Sequence, residues 1–206
     1  MQTMTVAVGS LDALSAVFAR DIVDLAEGAD VVVVPTAAAF TGITEAAFAV
    51  AQVCEPFGFR VEALMIADRT GAAEAYFAER LAAADLVVLC DGSPLHARSV
   101  WRTTPVGEAI AKASLLVAVG SVASVLGTVM IDPRGGAPTT GLDYRGGIAF
   151  TAPASDDQLM RTRSLLAPDV ALVVLGPSGV VSHDGSSWKV VDDDVVVTRG
   201  HDIVEL

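Results

Sequence analysis

Residues 84–120 read ADLVVLCDGSPLHARSVWRTTPVGEAIAKASLLVAVG. Two aliphatic runs, Asp85 to Asp91 and Ser114 to Gly120, flank a helix-like stretch from Val100 to Ala113. Neither run alternates apolar with polar residues, which is how a strand reads when both its faces are covered. The same unit recurs upstream, with runs at Thr5 to Val8, Ala29 to Pro35 and Arg60 to Ile66. Helix-like segments lie between them at Leu11 to Glu27, Glu45 to Phe57 and Ala72 to Ala84. In the first of these Leu14, Val17, Phe18, Ile22 and Leu25 recur at helical spacing, with Asp21 and Asp24 on another side. Glu27-Gly28 is expected to end that helix, and Thr44 with Glu45 to open the next. This alternation predicts a three-layer α/β fold around a doubly wound, mainly parallel sheet with right-handed crossovers.

The last third reads differently. Ser155 to Leu166 is expected to be one more helix, with Ser155 as N-cap and Asp156 and Asp157 in its first turn. Four short runs follow, Val170 to Leu175, Gly179 to Ser182, Trp188 to Val191 and Val195 to Thr198, separated by Gly176-Pro177, Asp184-Gly185 and Asp192 to Asp194. They read as antiparallel hairpins at one edge of the sheet, and the aspartate triplet as a solvated turn. Asp132 to Gly136 reads as a surface loop whose glycines suit a flexible lid. Without a linker or internal repeat, residues 1–206 are expected to form one domain.

Composition excludes several classes. At 52% apolar and 18% charged residues the chain is too hydrophobic for intrinsic disorder. A mean hydropathy of +0.55 does not make it a membrane protein, because the aliphatic runs are strand-length, far short of the roughly 20 residues a spanning helix needs. Lys and Arg number 13 against 25 Asp and Glu, and the resulting charge of −12 repels phosphate backbones and anionic lipid, so neither nucleic acid nor a membrane is an expected partner. The opening MQTMTVAVGS has no basic segment leading into a long apolar one, so no secretion signal is expected. Cys54 and Cys90 sit in apolar surroundings without metal-ligand spacing and read as buried, reduced thiols of a cytoplasmic protein. No cofactor fingerprint and no metal-binding pattern is present in the sequence.

Chemistry in such a fold belongs beyond the carboxyl ends of the strands. Three ends stand out: Pro35-Thr36-Ala37-Ala38-Ala39, Asp91-Gly92-Ser93-Pro94-Leu95-His96, and Gly120-Ser121-Val122-Ala123-Ser124. The third has the form of a strand-to-helix turn that exposes a nucleophile, but its middle residue is Val122, which cannot attack a carbonyl. Either the turn is chemically silent, or Ser121 acts in a shifted register.

The order and spacing of several segments resemble the peptidase E and cyanophycinase group of serine peptidases. "VVVVPTAAAF" (31–40) is similar to that group's strand followed by Pro-Thr-Ala, and residues 84–110 to its strand, glycine turn and Thr-Pro helix start. "VAVGSVASVLG" (117–127) falls where the group has its nucleophile turn, "DDQLMRTRSLL" resembles its Arg-x-Arg helix, and "DVALVVLGPSGVVSHDGSSWKVV" its closing hairpins. The resemblance implies the flavodoxin-like winding of the class I glutamine amidotransferase-like fold. It also implies an oxyanion hole from the backbone amides of Gly92 and Ala123. The group's nucleophile corresponds to Val122, the glycine after it to Ser124, and its first turn glycine to Asp91. Its histidine belongs near 146–155, where this chain has none; the three histidines are His96, His183 and His201. The acidic member maps to Asp132 or Asp143.

The resulting expectation is a catalytically degenerate relative that binds a small peptide or amino-acid-like ligand, with Thr36, Ser93 and Ser124 as candidate contacts. One alternative is an active hydrolase for acidic or aspartyl peptides, with Ser121 as nucleophile and His96 as base held by Asp91. Another is an interaction subunit that forms a homodimer.

Overall fold

The computed structural model describes residues 3–200 and 202–206. His201, read with the C-terminal hairpins, lies outside the described residues. The chain runs β1 (Met4–Val8), α1 (Leu11–Ala19), β2 (Asp30–Val34), α2 (Ile43–Cys54), β3 (Arg60–Ala63), α3 (Arg69–Ala72), α4 (Ala75–Ala82), β4 (Leu86–Leu89), α5 (Pro94–Trp101), α6 (Pro105–Lys112) and β5 (Leu115–Val119). It continues through β6 (Val129–Ile131), β7 (Pro138–Thr140), β8 (Ile148–Thr151), α7 (Asp156–Leu165), β9 (Ala171–Leu175), β10 (Val180–His183), β11 (Trp188–Val190), β12 (Val195–Arg199) and β13 (Asp202–Ile203).

The central sheet has the order β11-β10-β1-β5-β4-β2-β3. Its five strands from β1 to β3 are parallel, and β10 and β11 are added antiparallel. The valine-rich runs do not alternate because both faces are buried. Val6, Val31, Val33, Val88 and Val117 pack with Leu14, Val17 and Phe18 of α1 and Val50 of α2. Their neighbours Val32, Val34, Leu89, Leu116 and Ala118 face the other way, onto Leu81, Val100, Trp101 and Ile110 of α4 to α6. Burying each such side chain contributes roughly 1.5–3 kcal/mol. Among the described residues no helix is long and apolar enough to cross a membrane.

Several sequence-based boundaries need correction. The first helix ends at Ala19, with Arg20 as its C-cap and Asp21 at φ 50°, instead of running to Glu27. Ile22, Val23 and Leu25 still pack on the core, so their spacing reported burial rather than helix. The second helix opens at Ile43 after Gly42, and its final turn, Glu55–Phe57, tightens to 3₁₀. The expected 72–84 helix is α4, Ala75–Ala82, and a separate short helix, α3, precedes it and ends at Ala72. The 100–113 segment is broken, because Pro105 has no N–H to continue α5 and instead starts α6 under the Thr104 cap. Helix α7 agrees with its expectation, and the Ser155 hydroxyl accepts from the Gln158 N–H.

The C-terminal strands do not all join one edge. β10 and β11 extend the central sheet beside β1, whereas β9 pairs in parallel with β8 and antiparallel with β12 in a separate sheet of order β13-β12-β9-β8. Ile148, Phe150, Ala171, Val173 and Leu175 of that sheet pack into the same core as α4 to α6. The two sheets meet where Gly9 lies against the Gly176 backbone, an approach that leaves no room for a side chain on Gly9. The 132–136 loop joins β6 to β7 in a hairpin that the sequence pattern did not reveal.

Candidate functional site

Three carboxyl ends of the central sheet converge with two of the second sheet. At the end of β5, Gly120 takes φ +64° and the chain tightens into a 3₁₀ turn, Gly120–Val125. At the end of β4, Cys90 leads to Asp91 and Gly92, and the Ser93 hydroxyl caps α5 by accepting from the His96 N–H at 3.3 Å. Gly9 follows β1. The facing wall comes from the ends of β8 and β9, with Phe150 to Ala154, Leu175 and Pro177, and from Gln158 of α7. Together they enclose a cleft of about 370 Å³.

The centre of this cleft is a carboxylate. One oxygen of Asp91, Oδ1, accepts from the Gly92 amide at 2.7 Å and from the Ser121 amide at 2.8 Å. Two backbone N–H groups aimed at one oxygen are the arrangement by which hydrolases stabilise an oxyanion. Here the oxygen belongs to the protein. The amide pair is Gly92 with Ser121, not Gly92 with Ala123, which is buried in the turn. Asp91 also explains Gly120: besides the positive φ, a Cβ at this position would stand 2.6 Å from both carboxylate oxygens. The second oxygen, Oδ2, has no hydrogen-bond partner among the described residues.

The other anticipated residues separate into two groups. Ser121 and Ser124 line the cleft with Asp91. The Ser124 hydroxyl donates to the Ser121 carbonyl at 2.9 Å, while the Ser121 hydroxyl makes no hydrogen bond among the described residues. Thr36 is fully buried; its hydroxyl donates to the Ile66 carbonyl at 2.7 Å and accepts from the Trp101 indole at 3.3 Å. His96 does not line the cleft. Its Nε2 is 2.8 Å from the Ala67 carbonyl, so that nitrogen carries the proton, and its ring packs edge-on against Phe40. Val122 is buried in the core at 0% exposure. Neither acidic candidate reaches the site: Asp132 caps the Arg134 amide, and Asp143 accepts from the Thr128 hydroxyl. Cys90, one residue before Asp91, is turned into the α2 side of the core, and burial, then the Asp91 charge, push its thiol up to about 12. It is no nucleophile.

The sequence reading missed the facing wall. Phe150 and Thr151 lie in the 146–155 stretch, whose sequence drew notice only for lacking a histidine, and Gln158 lies in the helix expected after it. The signal that points to them is a small residue and a proline just past an aliphatic run, at Ala152-Pro153 and Gly176-Pro177, where strands β8 and β9 end beside the cleft.

The fold has relatives among solved structures. A crystal structure of a peptidase from an acI-B1 Actinobacterium matches with a TM-score of 0.77 and 20% identity, over 100% of this chain and 94% of that one. A putative peptidase E protein from Listeria monocytogenes EGD-e matches with a TM-score of 0.65 and 14% identity, over 97% of this chain and 99% of that one. The fold is that of peptidase E-like structures. No family model matches the sequence, and no curated protein does. Within the peptidase E-like fold, the turn after β5 in this chain carries a buried valine, Val122, and the Gly92 and Ser121 amides beside it hold the chain's own Asp91.

Proposed function

We propose that this chain is a member of the peptidase E-like group that binds a small peptide or amino-acid-like ligand in the cleft and does not hydrolyse it by a serine mechanism. One observation carries the reading: the Asp91 carboxylate sits on the Gly92 and Ser121 amides. A tetrahedral oxyanion needs such donors free, and a second negative charge beside Asp91 would be repelled instead of stabilised. Removing one oxyanion donor from a working hydrolase costs about 10²–10³ in kcat; here both are engaged. Among the described residues the cleft lining contains no histidine, so none of them offers Ser121 an imidazole to take its proton. What remains is a partly open cleft of ligand size whose lining mixes polar groups with apolar side chains, as a small-molecule site does.

The test is incubation of the protein with aspartyl dipeptides and cyanophycin-like peptides, with products followed by mass spectrometry. No product above the uncatalysed background is expected. Turnover that Ser121→Ala abolishes and Ser124→Ala leaves intact would overturn this reading in favour of a rearranged hydrolase, for which the unbonded Ser121 hydroxyl in the cleft is the supporting observation.

A further inference from the structure

We propose that the cleft selects a ligand bearing a primary ammonium group on an apolar body, with Asp91 as the counter-ion; this rests on reading the cleft as a binding site. Among the described residues Asp91 is the one ionisable side chain lining the cleft, and no lysine, arginine or histidine of theirs shares the wall. Its Oδ1 is committed to two backbone amides, which fixes the carboxylate in place, while Oδ2 is left without a partner among the described residues. Two more side chains on the lining offer acceptors with no hydrogen bond among the described residues, the Ser121 hydroxyl and the Gln158 carboxamide. An ammonium carries three N–H donors and no acceptor, which matches a carboxylate oxygen and two neutral oxygens. Apolar side chains share the lining with these groups, Ile131, Phe150 and Leu175 among them, and they suit a hydrocarbon or aromatic body attached to the nitrogen.

Charge points the same way. A net charge of −12 sets a negative potential over the surface, and a cleft with low-dielectric walls focuses it. An anionic ligand would meet Asp91 with no cation to offset the repulsion. The group's amide pair, ordinarily a place for negative charge, therefore presents a negative charge in this chain, and the ligand preference is inverted toward cations.

The experiment compares three probes of one shape, 2-phenylethylammonium, 3-phenylpropionate and 3-phenylpropanol, titrated into the full chain and followed by amide chemical shifts. The ammonium is expected to bind roughly tenfold more tightly than the alcohol, a difference of about 1.4 kcal/mol, with shifts centred on Gly92 and Ser121, and the carboxylate not to bind. Asp91→Asn should remove the preference, bringing ammonium affinity down to about that of the alcohol. Should that variant fold poorly, raising the salt concentration on the wild type must weaken the ammonium alone. Equal or better binding of the carboxylate or the alcohol, absence of binding by the ammonium at millimolar concentration, or an ammonium affinity indifferent to both Asp91→Asn and salt would overturn the proposal. Failure of the non-hydrolytic reading is a separate event, seen as peptide turnover lost with Ser121→Ala, whatever the ammonium does.

Discussion

Asp91→Ala should weaken the fold by about 1–2 kcal/mol and in the same step expose an anion site. The carboxylate joins the end of β4 to the end of β5 through the Gly92 and Ser121 amides at 2.7 and 2.8 Å. A buried hydrogen bond to a charged group is worth about 1.5–3 kcal/mol, but Asp91 is exposed and water can replace it, which brings each bond down to about 0.5–1 kcal/mol. For a chain of 206 residues each kcal/mol lowers Tm by about 2–4 °C, so a fall of about 2–8 °C is expected in a thermal melt. The freed amides should then shift in the spectrum on titration with acetate, which the wild type should ignore. An alanine variant as stable as the wild type, or one whose Gly92 and Ser121 amides do not respond to acetate, would refute the assignment of Asp91 as the occupant of the amide pair.

Further outcomes follow from neighbouring features. Gly120→Ala should cost about 2 kcal/mol or more, from a positive φ and the collision with Asp91, and urea melts of the double variant should show a smaller cost once Asp91 is alanine. Thr36→Val should cost about 2–3 kcal/mol by leaving the Ile66 carbonyl and the Trp101 indole unpaired, with a change in tryptophan fluorescence marking the site. His183 is held below its usual 6.5 by burial and then by the Arg145 charge, with Asp184 opposing. The unfolded chain therefore binds the proton more readily, and the contribution of His183 to stability is complete above about pH 6.5 and lost as pH falls through the lower folded value. Urea midpoints measured from about pH 7.5 down to about pH 5 should fall less in His183→Gln than in the wild type. Cys54 and Cys90 are free, buried and pushed up to about 11 and about 12, so a thiol reagent should modify neither until the protein unfolds.

The parallel layer was legible because buried strands write themselves as unbroken aliphatic runs, and β1, β2, β4 and β5 fall within a residue or two of those runs. Helix ends were less legible. Ile22 and Leu25 keep helical spacing beyond Ala19 although the chain leaves the helix there, because a core accepts apolar side chains from any backbone that reaches it. The last strands divide between two sheets that meet at the backbone contact of Gly9 with Gly176, positions 167 residues apart, and no local pattern carries such a pairing. At the site, the sequence showed that Val122 cannot be a nucleophile, and the resemblance set Asp91 where the resembled group has a glycine. It could not show that Asp91 turns onto the Ser121 amide, since that bond crosses between strands. Thr36 and His96 looked like site residues because both follow strand ends; packing draws one under Trp101 and the other onto Ala67.

The central claim is that Ser121 stands in the cleft as an unactivated hydroxyl beside a blocked amide pair. Reaction of the folded protein with a fluorophosphonate, read by intact mass and peptide mapping, tests this most directly. An unmodified chain is predicted. A stoichiometric adduct on Ser121 would contradict the account.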